Sequence, residues 1–177
     1  MPNIEKKKFI HWELATTSLL SAFQRGFPMY KKEVDGDHED FKKMIKEELI
    51  KVGEECRAKP ISEKMLLDYV ENLIEKSKQF APLLRTGELP FGRAQKAVNL
   101  YLKYLWCLDE IDTPPHCPID AIVIRRAFEL WGNRKIRDIQ WTKMNKDQYD
   151  QIIIEINSHI KHSSLSEWEL GVFNNRG

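Results

Sequence analysis

A lysine and an aspartate stand near the starts of two consecutive helices that we predict in the middle of this sequence. Lys96 lies near the start of an apolar segment, and Asp120 opens the next segment after a proline-rich turn. A lysine amine can attack an electrophilic carbon, while a carboxylate moves the proton and stabilises developing positive charge. Brought into one cleft, the two side chains would suit attack by an amine on a sugar carbon.

Each of these residues also has a structural explanation. Asp120, two residues after Pro118, would favour the positive end of a helix dipole. Lys96 could extend its ammonium group to solvent while its methylene groups cover the helix. For each residue taken alone, the sequence does not decide between a structural role and a chemical role.

The pattern of apolar residues predicts an all-α fold. A chain of 177 residues, 42% hydrophobic and 31% charged, is long enough for one packed domain or two small lobes that share a core. No stretch shows the sustained alternation of a strand. We expect a single domain, with scaffold helices over residues 9–80, a helix-turn-helix over 90–131, and a basic loop with further helices over 132–177.

Three helices are predicted for the scaffold. They are expected over Phe9 to Arg25, ending near Gly26; over His38 to Arg57, after a turn at Asp35-Gly36-Asp37; and over Ser62 to Phe80. Ser62 is the predicted N-cap of the third helix. In the second helix the helical spacing predicts an inward face of Phe41, Ile45, Leu49 and Val52.

The next helix, from Gly92 to Leu108, carries apolar residues around most of its circumference and is predicted to be largely buried. Its polar residues Lys96, Asn99 and Lys103 follow one another along a single line. Polar groups on a buried helix need either partners or a cleft. This line therefore predicts that a site lies against the helix.

The chain after this helix is predicted to form three further helices. Pro118 suits the first position of a helix that runs to Trp131 and ends at Gly132. A basic connector leads to a long helix from Lys146 to Lys161, and residues 165–177 could pack as a short helix.

Charge is unevenly distributed in a chain whose net charge is only +1. Glu33 to Glu75 holds thirteen acidic and seven basic residues, whereas Ala121 to Lys146 holds seven basic and two acidic residues. A basic face of this kind would bind phosphates by releasing counterions. A solvated helix face with scattered charge explains the same counts.

Cysteine spacing and hydropathy exclude several classes of protein. The three widely spaced cysteines form no CxxC pair, and adjacent His116 and Cys117 rarely bind one ion, so we expect neither a metal nor a cofactor. The apolar runs are too short to cross a bilayer. We expect a cytoplasmic monomer.

Two motifs together resemble the helix-hairpin-helix superfamily of DNA glycosylases. KAVNLYLK from Lys96 to Lys103, followed after the turn by Cys117-Pro118-Ile119-Asp120, is similar to the archaeal 8-oxoguanine glycosylase branch and its divergent bacterial and antiphage relatives. The hairpin of that superfamily, of the form LPGVGxKTA, is represented here by LPFGRAQKA from Leu89 to Ala97, with a changed glycine spacing.

The resemblance implies an enzyme that flips a damaged or modified base out of duplex DNA and excises it. The lysine matching Lys96 is the nucleophile of those members that also cut the backbone as AP lyases, and the aspartate matching Asp120 is the essential carboxylate. If Lys96 cannot reach C1′, Asp120 could support attack by water, giving base removal without strand cleavage.

Further residues are candidates for contact with the base or the DNA. Gln95 and Asn99 could read a base edge, although hydrogen bonding between helices is the commoner fate of such amides. His116 could donate to a phosphate or to the leaving base, or satisfy the backbone of its turn. The remaining candidates are Arg93, Lys103, Arg125 and Trp141. Trp141 could instead be a buried anchor for its loop.

The target base remains open between an oxidised or deaminated base, as in 8-oxoguanine repair, and a hypermodified cytosine of phage DNA. Two other classes of protein fit the same charges. One is a non-catalytic DNA-binding domain in which the basic segment contacts phosphates, and the other is a helical protein that binds an acidic partner.

Overall fold

A computed structural model describes residues 2–24, 26, 28–34 and 38–175 of the chain. Regular structure in these residues is helical, which confirms the predicted all-α fold. The helices are α1 (Pro2–Phe23), α2 (Glu39–Ala58), α3 (Glu63–Ser77), α4 (Phe91–Cys107), α5 (Ala121–Trp131), α6 (Arg134–Arg137), α7 (Lys146–His159) and α8 (Leu165–Asn174). Short 3-10 turns occupy Lys78–Phe80 and Trp141–Lys143.

The first helix is longer than predicted, because it begins at Pro2 instead of Phe9. The added turns contain glutamate and lysine, which favour helices, and Lys8 donates to Glu5 at 3.1 Å within them. The predicted end of this helix at Arg25 and the predicted turn at Asp35-Gly36-Asp37 lie outside the described residues.

The other two scaffold helices agree with their predictions. Phe41, Ile45 and Leu49 on α2 are fully buried, as the helical spacing predicts. Ser62 is the N-cap of α3, where its hydroxyl accepts a hydrogen bond from the amide of Met65 at 3.2 Å. Helix α3 is followed by a 3-10 turn over Lys78–Phe80, which ends where the predicted helix ends.

Buried apolar side chains form two clusters, which we call the first core and the second core. The first core joins the inward faces of α1 to α4. The second core runs from Cys117 to Leu165 and includes side chains of α5, the segment around Trp141, and α7. Phe91, at the start of α4, packs against both cores, so α4 lies at the seam between them.

Helix α5 begins later than predicted, at Ala121, so the expectation that Pro118 occupies its first position is wrong. The backbone N–H and C=O of Ile119 both bond to the side chain of Gln95. Ile119 therefore makes no backbone hydrogen bonds of a helix. Asp120 is the N-cap. The predicted end of the helix is confirmed, because Gly132 adopts a left-handed φ of 72°.

The segment from Trp141 to Met144 packs closely against the start of α4. The amide of Gly92 donates to the carbonyl of Met144 at 3.0 Å. A Cβ atom on Gly92 would lie 1.7 Å from the carbonyl oxygen of Trp141, so only glycine permits this approach. The contact fixes Trp141 beside the first turns of α4.

Among the described residues, no helix is both long enough and apolar enough to cross a membrane.

We expect Gly92→Ala to lower the free energy of unfolding by more than about 2 kcal/mol, because the added methyl group would overlap backbone atoms that cannot rotate away. Gly171→Ala in α8 is the matched control, since a Cβ there meets nothing within 4 Å. That variant should gain about 0.5–1 kcal/mol from helix propensity. Urea unfolding of both proteins checks the pair, and equal effects would contradict the close approach.

Candidate active site

Lys96 and Asp120 meet, as the sequence suggested they could. The ammonium nitrogen of Lys96 lies 3.1 Å from Oδ2 of Asp120, and the two side chains are 11% and 17% exposed. Helix α4 presents the lysine, and the residue before α5 presents the aspartate. The charged pair is therefore mostly withdrawn from water but still reachable from one side.

Asp120 uses its two carboxylate oxygens differently. Oδ1 accepts hydrogen bonds from the amides of Ile122 at 2.9 Å and Val123 at 3.2 Å and so caps α5. Oδ2 faces Lys96. The structural explanation drawn from the helix start is thus correct for one oxygen, and the other oxygen remains with the lysine.

Trp141 covers the lysine from the loop side. Its ring centre lies 4.4 Å from the ammonium nitrogen of Lys96, a cation–π contact, and the residue is only 8% exposed. The side chain also belongs to the second core. Trp141 therefore anchors its loop in the core and packs against Lys96, and its ring is not exposed for stacking on a base.

A cavity of about 260 Å³ opens beside the pair. Four helices and the turn before α5 contribute to its lining, which consists of Ser21, Gln24, Lys96, Leu100, Lys103, Tyr104, Pro118, Asp120, Ile122, Glu169 and Phe173. The lining thus mixes aromatic and aliphatic surface with two lysines and two carboxylates.

A second lysine and carboxylate stand at another part of this cavity. Lys103 lies two helical turns beyond Lys96, and its ammonium group is 2.5 Å from the carboxylate of Glu169 on α8. The ring of Phe173 lies below the same ammonium group, at 4.6 Å from the ring centre. Lys103, a predicted site residue, does line the cavity.

Sequence reasoning missed Glu169. A signal was available, because Leu165, Glu169 and Phe173 follow one another at intervals of four residues on one face of a short helix. An acidic residue between two apolar ones on that face indicates a buried carboxylate that needs a cation.

Gln95 and Asn99 do not line the cavity. Both are buried in the seam, where Gln95 bonds to the backbone of Ile119 and Asn99 donates to the hydroxyl of Tyr149 at 3.2 Å. The expectation that these amides read a base edge is not met by this geometry. Hydrogen bonding between elements, the alternative reading, describes both residues.

Arg93 points away from the surface, so in this structure it lies out of reach of DNA. The residue is 0% exposed, and its guanidinium donates to the carbonyls of Ala22 at 2.7 Å and Phe23 at 3.1 Å. These carbonyls belong to the last turn of α1, which has no following helical turn to bond with. Arg93 therefore ties the end of α1 to the start of α4.

His116 is also buried instead of facing a ligand. Its Nδ1 lies 2.9 Å from the hydroxyl of Tyr149, and its Nε2 lies 3.4 Å from the carboxylate of Glu63. Burial lowers the pKa of His116, although the nearby Glu63 carboxylate opposes this change. The ring joins the turn before Asp120 to α7.

Arg125 remains exposed on α5 and lies within 3.9 Å of Glu129. Together with Arg126 and Trp168 it lines a wider groove of about 710 Å³ between α5 and α8. Ile122 borders both this groove and the cavity of Lys96. The exposed arginines therefore stand next to the candidate site without entering it.

No protein-family model matches this chain, and neither a curated protein nor a solved structure matches it. Its function must therefore be argued from the site.

The two roles of Asp120 predict different effects of two substitutions. Asp120→Asn keeps a capping oxygen for α5, whereas Asp120→Ala removes it, and both remove the charge opposite Lys96. We expect the alanine variant to be less stable than the asparagine variant by about 1 kcal/mol in urea unfolding. The same two changes at exposed Asp112 should differ by less than about 0.5 kcal/mol. Equal stability of both Asp120 variants would contradict the capping role.

The lowered pKa of His116 predicts a loss of stability in mild acid. The unfolded chain takes up the proton near the ordinary value of 6.5, while the buried ring resists it, so stability is full above that pH and falls below it. His116→Gln should reduce the slope of unfolding free energy against pH by at most about 1.4 kcal/mol per pH unit.

His11 serves as the comparison for this measurement. Burial and the neighbouring Arg57 lower its pKa as well, so part of the acid sensitivity should remain in His116→Gln and disappear further in the double variant with His11→Gln. If the unfolding free energy of His116→Gln has the same slope against pH as that of the wild type, burial does not keep His116 neutral.

Proposed function

We propose that this protein is a DNA glycosylase of helix-hairpin-helix type, which flips a damaged or modified base from duplex DNA and cleaves its N-glycosidic bond. The observation that carries the proposal is the contact of Lys96 with Asp120 at 3.1 Å in the wall of a cavity. A lysine and a carboxylate in contact, sheltered but reachable, supply a nucleophile and its proton acceptor. The resemblance of the KAVNLYLK and CPID motifs supports the same activity.

The chemistry begins with the transfer of a proton from the Lys96 ammonium to Oδ2 of Asp120. The freed lone pair of Lys96 attacks C1′ of the flipped nucleotide, the bond from C1′ to the base breaks, and its electron pair leaves with the base. A second proton of the Lys96 nitrogen passes to the departing base, and the proton held by Asp120 passes to O4′ as the sugar ring opens, which leaves a protonated imine between Lys96 and C1′. The Asp120 carboxylate then takes a C2′ proton, and the electron pair of that bond expels the 3′ phosphate by β-elimination, which cuts the strand.

A monofunctional route uses the same residues without the imine. Lys96 then stays protonated, and Oδ2 of Asp120 stabilises positive charge on the sugar while water attacks C1′. This route leaves an abasic site and an uncut strand.

The cavity suits a single base. Its volume of about 260 Å³ lies just below the roughly 300–1,000 Å³ of pockets for drug-sized ligands. Tyr104 and Phe173 offer aromatic surface against which a flipped base could stack, and the Lys103 and Glu169 pair offers a donor and an acceptor. The lining therefore supports a ligand that has both a flat face and a polar edge.

Exposed cations on α5 and in the segment after it support binding of duplex DNA. Arg125, Arg126, Arg134, Lys135, Arg137 and Lys143 are all exposed. The amide of Gly92, at the position of the superfamily hairpin, is already bonded to Met144. In this proposal the basic residues after Asp120 hold the phosphates, and Gly92 has only a packing role.

The role we propose is removal of a modified base, with two candidate targets. One is a hypermodified cytosine of phage DNA, which would make the protein an antiphage enzyme. The other is 8-oxoguanine in DNA repair, where the enzyme would act as a glycosylase and lyase. The altered hairpin favours a divergent member and hence the first target.

A non-catalytic DNA-binding domain is the second candidate, and the exposed arginines of α5 favour it. In that case Lys96 and Asp120 form an ion pair that only holds α4 and α5 together.

Base release separates the two candidates. We expect Lys96→Ala and Asp120→Asn to lower release of the target base by at least about 100-fold, because each removes a group that moves a proton or bonds to C1′. Binding to the same duplex should change little. The measurement uses labelled duplexes with oxidised or deaminated bases and phage DNA with glucosylated hydroxymethylcytosine, each scored with and without alkali. Lys51→Ala, an exposed lysine of α2, is the matched control.

The pattern of cleavage then assigns the mechanism. Cleavage without alkali, with trapping of the protein on DNA by borohydride, places Lys96 on C1′. Cleavage only after alkali assigns the water route. Release from 8-oxoguanine duplexes but not from phage DNA would overturn the antiphage role. Binding without any release would establish the DNA-binding candidate, and an absence of salt-sensitive binding would exclude both.

A further inference from the structure

Gln95 makes a bidentate contact with the residue that precedes Asp120. Its Nε2 donates to the carbonyl of Ile119 at 2.7 Å, and its Oε1 accepts from the amide of Ile119 at 3.2 Å. Both polar groups of one backbone residue are thus held by one side chain.

The orientation of this amide is fixed by two further bonds. Nε2 also donates to the carbonyl of Gly92 at 2.9 Å, and Oε1 also accepts from Nδ2 of Asn99 at 3.2 Å. An exchange of the nitrogen and oxygen positions would set like groups against each other on both sides. Because Gln95 is 0% exposed, water cannot replace these partners.

We call these hydrogen bonds of the Gln95 side chain the clamp. The clamp connects the chain beside Lys96 to the chain beside Asp120. Gln95 directly precedes Lys96 in α4, and Ile119 directly precedes Asp120. The bonds between Gln95 and Ile119 therefore hold the backbone of the nucleophile and the backbone of the carboxylate at a fixed separation. Capping of α5 by Oδ1 then orients the carboxylate, so Oδ2 is directed at Lys96.

We propose that Gln95 is a positioning residue, which sets the distance between Lys96 and Asp120 and through it the rate of the chemical step. The proposal rests on the proposed function, but the clamp can be tested without it. It also replaces the earlier expectation that Gln95 reads the base, since Gln95 does not line the cavity.

The first test is kinetic. Gln95→Leu removes all four bonds at nearly constant volume and should lower kcat for base release by between about 10- and 100-fold, because a shift of the reacting groups by about 1 Å can have that effect. KM and the order of preference among bases should stay unchanged. Gln151→Leu, an exposed position of α7, is the matched control. A changed base preference with an unchanged kcat would overturn the proposal and return Gln95 to base recognition.

The second test uses a variant that regains part of the clamp. In Gln95→Glu one carboxylate oxygen can still accept the hydrogen bond from the Ile119 amide. The other oxygen, when unprotonated, has no hydrogen to donate to the carbonyls of Ile119 and Gly92. Protonation restores one donor, so the ratio of its kcat to that of the wild type should rise as pH falls from about 8 to about 5.5. Both proteins share the neighbours Lys96, Asp120, His116 and Tyr149, so the ratio removes the part of the pH profile that is common to them. A ratio that is independent of pH would contradict the clamp.

The third test needs no activity. Hydrogen exchange of the Ile119 amide, and of the capped amides of Ile122 and Val123, should accelerate in Gln95→Leu, while the amide of Leu49 in α2 keeps its protection. Unchanged exchange at all three sites would overturn the clamp even if the wild type releases no base. Accelerated exchange in a protein that releases no base would refute the glycosylase and leave the clamp standing as a structural contact.

Discussion

Burial of α4 is the constraint on which the rest of this structure depends. The helix lies between the two cores, and five of its buried residues carry charges or amides: Arg93, Gln95, Lys96, Asn99 and Lys103. A buried polar group without a partner is costly, so other elements must bring one to each of these positions. The end of α1, the residues before α5, the Tyr149 hydroxyl of α7 and the Glu169 carboxylate of α8 do so.

The same constraint explains how far the sequence could be interpreted. Helical periodicity is local, so the extents of α2, α4 and α7 follow from it closely. The pairing of Lys96 with Asp120 was also accessible, because both residues stand near the starts of consecutive helices joined by one proline-rich segment. The fates of Arg93 and Gln95 were not, since whether a polar side chain near a helix start meets solvent or backbone depends on elements distant in sequence. Arg93, for example, bonds to a carbonyl 71 residues away.

Asp120 shows why a structural and a chemical explanation of one residue need not exclude each other. A carboxylate has two oxygens, and here one satisfies the amides of α5 while the other holds a cation. Capping fixes the rotation of the side chain, which a reactive carboxylate also requires. The helix start therefore supplies orientation to the carboxylate without using up its charge.

The cavity joins the first helix of the fold to the last one. Ser21 of α1 and Phe173 of α8 line the same space, and Glu169 supplies the partner of Lys103. During synthesis on the ribosome, α1 to α4 can pack into the first core well before α8 leaves the exit tunnel. In such a nascent chain Lys96 stands beside an open seam, and the cavity closes only after α8 has left the exit tunnel and packed.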